Sequence, residues 1–399
     1  MTTNLERRLS KELLESDVKI LKKFKDVKSL EEFDLENLEL IRGETPEDVK
    51  QRCLQLCKDY LSNEWLDQTV DTFEFKRLTG GMTNQLYYCS LPTVSNTSQT
   101  PQEVCIRFYG PKHFNEDERL SDIIIALLVS ESHIGPKILG IFEDGQILQY
   151  LKHRQFRLPE QNNPKLAIQL FEMLAKIHSL EVPIKKSINW LFDYFDECLD
   201  IGYNKFSINQ MFDELNCETL KKYDIKNEIQ WIKKIMISIN SPIVFTHVDC
   251  RGSNIMVTEP NDDIILCDFE YSNYGYRGFD LGTILIEWGH HFKDYNVSHN
   301  FPGDHVFEPL IKAYIDESVN IHGKAFLENK FNSYENLLKE TKIFTLSAFM
   351  WLIMFCIKND DNDDNALPIN KNVMMGFAEV NYKSYWNFKN EFIKQHLFD

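Results

Sequence analysis

The 399-residue sequence lacks an apolar run long enough to span a bilayer. Its most apolar stretch, "IFTLSAFMWLIMFCI" from Ile343 to Ile357, has fifteen residues, short of the roughly twenty that a transmembrane helix needs. It reads as a buried helix, and no stable membrane insertion is expected. The sequence is also poor in positive charge, with 44 Lys and Arg against 61 Asp and Glu, a net charge of −17. Such a surface repels nucleic-acid phosphates, where cationic contacts dominate affinity. It excludes nucleic acid as a partner and suits a cationic ligand. "MTTNLERRLSKELL" has no apolar h-region, so no secretory signal is expected. The nine cysteines are odd in number, and several lie inside apolar runs. That usage fits reduced thiols in a cytoplasmic protein rather than a disulfide framework. Cys53 and Cys57 are four apart, but no matching Cys/His pair follows, so they read as core residues. "KNDDNDDNALP" (358–368) lacks the Gly and terminal Glu of an EF-hand and reads as a solvated loop. There are no internal repeats.

What is present falls into an order. Residues 1–45 form an N-terminal extension in which Leu14, Val18, Leu21 and Phe24 recur at helical spacing. This helix is either a docking or dimer element or a solvated extension, and a homodimer is one expectation. Thr45 and Pro46 read as N-cap and first residue of a helix over "TPEDVKQRCLQLCKDYL". The runs "TFEFKRL", "NQLYYCSL" and "EVCIRFYG" read as an antiparallel meander. "RLSDIIIALLVSESH" is helical, and "ILGIFEDGQILQYL" is a hairpin turning at Asp144-Gly145. From about residue 156 the pattern is mostly helical, interrupted by one hairpin. The expected fold is α+β and two-lobed, with a β-rich lobe over 46–155 and a helical lobe over 156–399. The cleft between them is the natural ligand site.

The interrupting hairpin carries the chemistry. "THVDCRGSNIMV" (246–257) fits H-x-D-x4-N, with His247, Asp249 and Asn254. "NIMVT" is then a strand, "EPNDD" a turn and "IILCD" the returning strand. Antiparallel pairing brings the start of the first beside the end of the second, which places Asn254 next to Asp268. An amide and a carboxylate oxygen there suit Mg2+. Asp249 remains to accept or orient a hydroxyl proton, and together these are parts of a phosphoryl-transfer site. His247 reads as a brace for the loop rather than a proton carrier. Gly80-Gly81 between two strands is either a plain hairpin turn or a phosphate-approaching loop, to which Thr83 and Asn84 add donors. Arg107 needs an anionic partner if it points inward, and Asp122 is the candidate. Asp280 can cap its helix or reach the catalytic loop's backbone. Glu287, seven residues on and on the same face, is either an amine ligand beside aromatic rings or a rim residue paired with Lys. Only eleven residues separate Asp268 from Asp280, with no A-P-E. That leaves no platform for a protein substrate and favours a small hydroxyl compound.

These residues resemble the choline/ethanolamine kinase family, within the protein-kinase-like small-molecule kinases. The resemblance rests on "GGMTNQLYYCSLP", "IRFYG", "GPKILGIFEDGQILQYL", "SINWLFDY", "HVDCRGSN" and above all "CDFEYSNYGYRGFDLGTILIEW", and covers about residues 46–395. It implies transfer of the ATP γ-phosphate to choline, and to ethanolamine, with Mg2+, at the entry to phosphatidylcholine and phosphatidylethanolamine synthesis. By resemblance Asp249 is the catalytic base, supported by His247, and Asn254 and Asp268 are the Mg2+ ligands. Gly80, Gly81, Met82, Thr83, Asn84, Gln85 and Leu86 match the loop over the phosphates, with Met82, Thr83 and Asn84 also reaching the acceptor. Arg107 matches the phosphate-binding cation. Gln149, Tyr150, Leu151, Lys152, His153, Arg154 and Gln155 match the connector beside adenine, with Arg251 also near the nucleotide. Glu287 and Trp351 match walls of the amine pocket.

Several positions depart from the family pattern. Val248 stands for Asn, Asp122 for Glu, Arg251 for Gln and Gly275 for Asn. Met354 stands where a second Trp of the amine cage is expected, and Phe292 and Val380 stand where Tyr is common. Each ring of such a cage is worth about 0.5–2 kcal/mol, so a thinner cage shifts selectivity from choline towards ethanolamine. A dedicated ethanolamine kinase is therefore the first rival reading. An aminoglycoside-type phosphotransferase shares H-x-D-x4-N, but "EYSNYGYRGFD" argues against it. A non-catalytic binding partner of an active paralogue is the third.

Overall fold

The computed structural model describes residues 44–78, 84–92, 100–110, 116–204, 207–291, 294, 296–358 and 370–398. The expected N-terminal helix, the loop Gly80–Thr83, Phe292 and the acidic 359–368 stretch lie outside them.

The first lobe is a five-stranded antiparallel sheet in the order β1-β2-β3-β5-β4. Its strands are β1 (Glu74–Leu78), β2 (Gln85–Ser90), β3 (Glu103–Phe108), β4 (Ile138–Phe142) and β5 (Gly145–Gln149). Helix α1 (Val49–Leu61) covers the sheet, and α2 (Glu116–Glu131) joins β3 to β4. Alternation along the strands buries Tyr87, Cys89, Val104, Ile106 and Ile147 against Cys53, Cys57 and Trp65. The cysteine pair therefore packs as core. Helix α1 starts three residues later than the Thr45-Pro46 signal indicates. The Pro46 carbonyl accepts from Val49 N at 3.1 Å, so the first bond closes a tighter turn, and the Thr45 hydroxyl accepts from Arg77 instead.

The second lobe is helical: α3 (Leu158–Gln161), α4 (Pro164–His178), α5 (Asn189–Asn204), α6 (Ile208–Glu214), α7 (Glu218–Lys222) and α8 (Ile225–Ser238) precede its strands. Strand β7 (Ile243–Thr246) pairs antiparallel with β10 (Asn273–Tyr276), and β8 (Ile255–Thr258) with β9 (Ile264–Leu266). Strand β6 (His153–Gln155), at the end of the connector, adds to β8. The β8–β9 hairpin is as the sequence indicates. The β7–β10 ladder, framing it on both sides in sequence, is a further element.

After β10 come α9 (Arg277–Ile286), α10 (Asp304–His322), α11 (Tyr334–Lys358) and α12 (Lys371–Lys394). Helix α11 contains the fifteen-residue apolar stretch. It is long and apolar enough to cross a membrane, yet 89% of its apolar window is buried inside the protein, as a core helix requires.

Helix α9 is fully buried and sits directly on α11. Glycine permits that approach: a Cβ at Gly282 would lie 2.4 Å from Thr345 N and 2.5 Å from Phe344 C, both backbone atoms. Polar contacts fix the register. Arg277 Nη2 donates to Glu340 Oε2 at 2.7 Å and Nε to Oε1 at 3.1 Å, while Nη1 takes Asn332 Oδ1 at 2.6 Å. Ser241 Oγ donates to the same Glu340 at 2.7 Å. A buried pair is tolerable only when its remaining donors and acceptors are satisfied in this way. Gly282→Ala is expected to lower the unfolding free energy by about 1–3 kcal/mol through overpacking. Urea denaturation measures it, and an unchanged midpoint would show that the two helices part at no cost.

Candidate active site

The loop between β7 and β8 is held in an unfavourable backbone shape. Val248 has φ 72° and Asp268 φ 64°. A β-branched residue in the left-handed region is an outlier that costs about 1–3 kcal/mol. Asp280 holds it there. Its Oδ2 accepts from His247 N at 2.7 Å and its Oδ1 from Val248 N at 2.8 Å, with His178 Nε2 at 3.1 Å. Of the two roles open to Asp280, the loop is the one observed, and α9 begins after Tyr276 with no side-chain cap.

One end of α9 thus grips the start of the loop, and the other end grips its middle. Glu287 Oε2 accepts from Gly252 N at 2.9 Å and lies 3.9 Å from Arg157 Nη1. The partner of Glu287 is a backbone amide and an Arg rather than a Lys.

His247 is fully buried. Burial pushes its pKa below the ordinary value, against the pull of Asp280 and Asp249, so the ring is neutral. Its Nε2 donates to the Cys267 carbonyl at 2.9 Å, and its face lies 4.7 Å from the Phe269 ring. It ties the loop to the returning strand, the brace that the sequence indicates.

The hairpin register delivers the remaining groups. Ile255 pairs with Leu266, and Cys267 N donates to Asn254 O at 2.9 Å, leaving Asn254 and Asp268 at the open end. Asn254 Nδ2 donates to Asp249 Oδ2 at 2.8 Å and to the Asp249 carbonyl at 3.0 Å. Arg251 Nε lies 3.3 Å from Asp249 Oδ1. Both Asp249 oxygens are therefore engaged, and Arg251 faces the carboxylate that the sequence reading makes the base.

Across the cleft, Arg107 on β3 corrects one expectation. Its Nη2 meets Asp268 Oδ1 at 3.0 Å and Glu270 Oε2 at 3.2 Å, and no ion pair joins it to Asp122. Burial works against the guanidinium charge, but Asp268, Glu270 and then Asp122 outweigh it and raise its pKa. Asn84 makes a parallel contact, with Nδ2 donating to Glu270 Oε2 at 3.0 Å. These two residues of the first lobe clamp onto the segment after β9. Desolvation first, and then the Glu270 charge, push the Asp268 carboxyl above its ordinary value, with Arg107 opposing. A carboxylate so short of compensating charge, beside an amide oxygen, is a fitting donor for a hard divalent cation.

The other expected residues are placed less centrally. Gln85 and Leu86 sit in the sheet, opposite Phe108 and Arg107, and Gln85 Oε1 accepts from Tyr87 OH at 2.8 Å. Gln149 pairs with Val104, and Tyr150 lies edge-on to Tyr88 at 4.5 Å. The Leu151 carbonyl contacts His153 Nδ1 at 2.6 Å. Lys152 pairs with Glu259 at 2.9 Å, and Arg154 with Glu160 at 2.9 Å and Asp262 at 2.8 Å. Gln155 Oε1 accepts from Arg157 Nε at 3.1 Å. The side chains of Lys152, Arg154 and Gln155 are thus committed to the second lobe. Gly80, Gly81, Met82 and Thr83 lie outside the described residues.

Trp351 stacks on Tyr194 at 5.9 Å and 27°, and meets Tyr271 edge-on at 5.7 Å and 83°. Burial and then the charges of Glu270, Asp249 and Asp268 raise the Tyr271 pKa, so this aromatic wall adjoins the carboxylates. Tyr271 and Tyr194 were missed as site residues, although both stand inside quoted motifs, directly after D-F-E and at the end of "SINWLFDY". Met354, one helical turn from Trp351, is fully buried in the core. It offers no surface to a ligand, so its assignment to the amine cage is corrected.

A two-lobed fold, with a carboxylate-bearing loop and a D-x-E strand end facing a partly buried Arg, defines a protein-kinase-like phosphotransferase architecture. The choline/ethanolamine kinase family model matches residues 75–386, and the chain belongs to that family. It is 32% identical to a choline/ethanolamine kinase of Mus musculus over 249 residues, 60% of this chain and 61% of that relative's length. It is 28% identical to choline kinase alpha of Mus musculus over 347 residues, 78% of this chain and 76% of that one. The fold is similar to that of a choline kinase from Cryptosporidium parvum, with a TM-score of 0.66 at 17% identity, covering 87% of this chain and 97% of the other.

Asp280→Asn keeps the shape but replaces one acceptor oxygen with a donor. It is expected to cost about 2–3 kcal/mol, since hydrogen bonds to a charged acceptor are worth about 1.5–3 kcal/mol each. It should also speed amide hydrogen exchange at His247 or Val248. Unchanged protection of both amides would contradict the anchoring role.

Proposed function

We propose that the protein transfers the γ-phosphate of ATP to the hydroxyl of choline, and also of ethanolamine, forming the phosphorylated headgroups used in phospholipid synthesis. The observation that carries this reading is the convergence of Asp249, Asn254 and Asp268 at one hairpin mouth, beside the Trp351–Tyr271 aromatic wall. Asp249 takes or orients the acceptor hydroxyl proton, and Asn254 fixes its rotamer. Trp351 and Tyr271 present ring faces and edges to the ammonium end, with Glu287 as the acidic wall. Arg107 supplies positive charge on the phosphate side, and the loop through Gly80 and Gly81 covers the phosphates. Asn254 and Asp268 would hold Mg2+, which when bound neutralises phosphate charge. The nine free cysteines, eight of them buried, suit a reducing cytoplasm.

The rival reading is a dedicated ethanolamine kinase: a primary ammonium depends less on rings and more on carboxylates such as Glu287, which stands at the end of α9 beside the catalytic loop.

Purified protein with Mg2+-ATP is expected to phosphorylate both alcohols. Asp249→Ala, folded by circular dichroism, should lower kcat by about 10²–10⁴-fold, the usual loss for a general base. No product with either alcohol, or an undiminished variant, would sink the reading. A kcat/KM that favours ethanolamine strongly would move the assignment to the rival.

A further inference from the structure

The acceptor side of the catalytic loop carries two carboxylates, Asp249 and Glu287, and each already faces a guanidinium of this chain. Arg251 Nε is 3.3 Å from Asp249 Oδ1, and Arg157 Nη1 is 3.9 Å from Glu287 Oε2. The two carboxylates and two guanidiniums balance to zero. Arg251 is also fixed beside Asp249 by its backbone, since its N donates to Asp249 O at 3.0 Å and its O accepts from Asn254 N at 2.8 Å, and the next residue, Gly252, donates its N–H to Glu287 Oε2 at 2.9 Å. Its charge is held by Asp249 above all, and then by Glu287, Asp268 and Tyr271. Burial lowers the Arg157 pKa, Glu287 opposes this, and Arg251 adds a further push downward. The two guanidiniums therefore lie within electrostatic reach of each other. About a third of the Arg251 side-chain surface stays open, whereas Asp249 is nearly closed. An ammonium entering beside Trp351 and Tyr271 meets a locally neutral patch, and a fixed like charge competes with it for the same oxygens.

We propose that Arg251 is a specificity-determining residue, an internal cation that competes with the acceptor's ammonium for Asp249 and Glu287 and so weakens selection for charged over uncharged alcohols. This rests on the reading of the site as an amine-alcohol kinase. The competition is electrostatic and acts on acceptor recognition, so it separates from any effect of Arg251 on loop position. A shift in loop position would change the turnover of every acceptor alike. Charge competition changes only those that carry a cation.

The test compares choline with dimethylbutanol, its isostere with a tert-butyl group in place of the trimethylammonium. In wild type and Arg251→Gln, kcat/KM is measured for each acceptor. Removing the charge is expected to raise the choline-to-dimethylbutanol ratio about tenfold, carried by KM for choline. Tenfold corresponds to a modest like-charge repulsion at a few ångströms in a partly solvated site. Arg251→Lys, which keeps the charge, should hold the ratio within about twofold of wild type. Arg251→Met serves as a second neutral variant if the Gln variant fails to fold. The dead-end inhibitor tetramethylammonium should bind the neutral variants more tightly by a similar factor. A ratio unchanged in the neutral variants, or an equal change for both acceptors, would overturn the proposal while leaving the kinase reading standing. Wild type that phosphorylates neither choline nor ethanolamine would overturn both.

Discussion

The site depends on one buried carboxylate. Asp280 accepts the backbone N–H groups of two consecutive residues, His247 and Val248, and has no surface exposed to solvent. Two charge-assisted bonds of about 1.5–3 kcal/mol each outweigh the roughly 1–3 kcal/mol needed to hold Val248 at a left-handed φ. Val is among the worst residues for that conformation. The anchor therefore does more work here than it would with Asn or Gly at the same place. The rest of the second lobe serves to put Asp280 where it is. His178 on α4 fixes its orientation, Gly282 lets α9 settle onto α11, and the Arg277–Glu340 pair locks the helix along its axis.

Charge is partitioned across the cleft. On the β9 side, Asp268 and Glu270 share the guanidinium of Arg107, and burial first, then the Glu270 charge, raise the Asp268 pKa. A site in that state gains from any added cation. On the side of the β7–β8 loop, Asp249 and Glu287 are each matched by an Arg. The local balance, not the chain's net charge of −17, governs which ligand charge each half accepts. Asn84 and Arg107 come from the first lobe, so the contacts that join the lobes here are the same ones that compensate the D-x-E carboxylates.

Local patterns made much of this legible in the sequence. Alternation and turn residues located the meander and the β8–β9 hairpin, and pairing alone brought Asn254 towards Asp268. The apolar run of α11 reads as a core helix, and it is burial rather than length that bears this out, since the full helix is long enough to cross a membrane but 89% of its apolar window is buried inside the protein. Contacts set by tertiary placement were not legible. Arg107 was matched to Asp122, a neighbour along the chain, because nothing local shows that β3 faces Glu270 across a cleft. Met354 was read as a cage residue because the resemblance places a second Trp of the amine cage at its position, one helical turn from Trp351. Whether that turn faces a pocket or the core depends on packing against other helices. The left-handed Val248 breaks the propensity rule, and a rule based on propensity cannot foresee an anchor that overrides it.

The short run after β9 constrains the acceptor more tightly in three dimensions than its length implies. Of the eleven residues between Asp268 and Asp280, Asn273–Tyr276 form β10 and pair with β7, and Arg277–Phe279 already belong to α9. Only Phe269 to Ser272 remain, and none of them is free. Phe269 packs on His247, Glu270 binds Arg107 and Asn84, Tyr271 meets Trp351, and Ser272 Oγ donates to the His247 carbonyl at 3.1 Å. Among the described residues, the segment after β9 is therefore spent on holding the site together: it braces His247, compensates Arg107 and builds the Tyr271–Trp351 wall, and it is too short to add a separate docking platform beside these tasks.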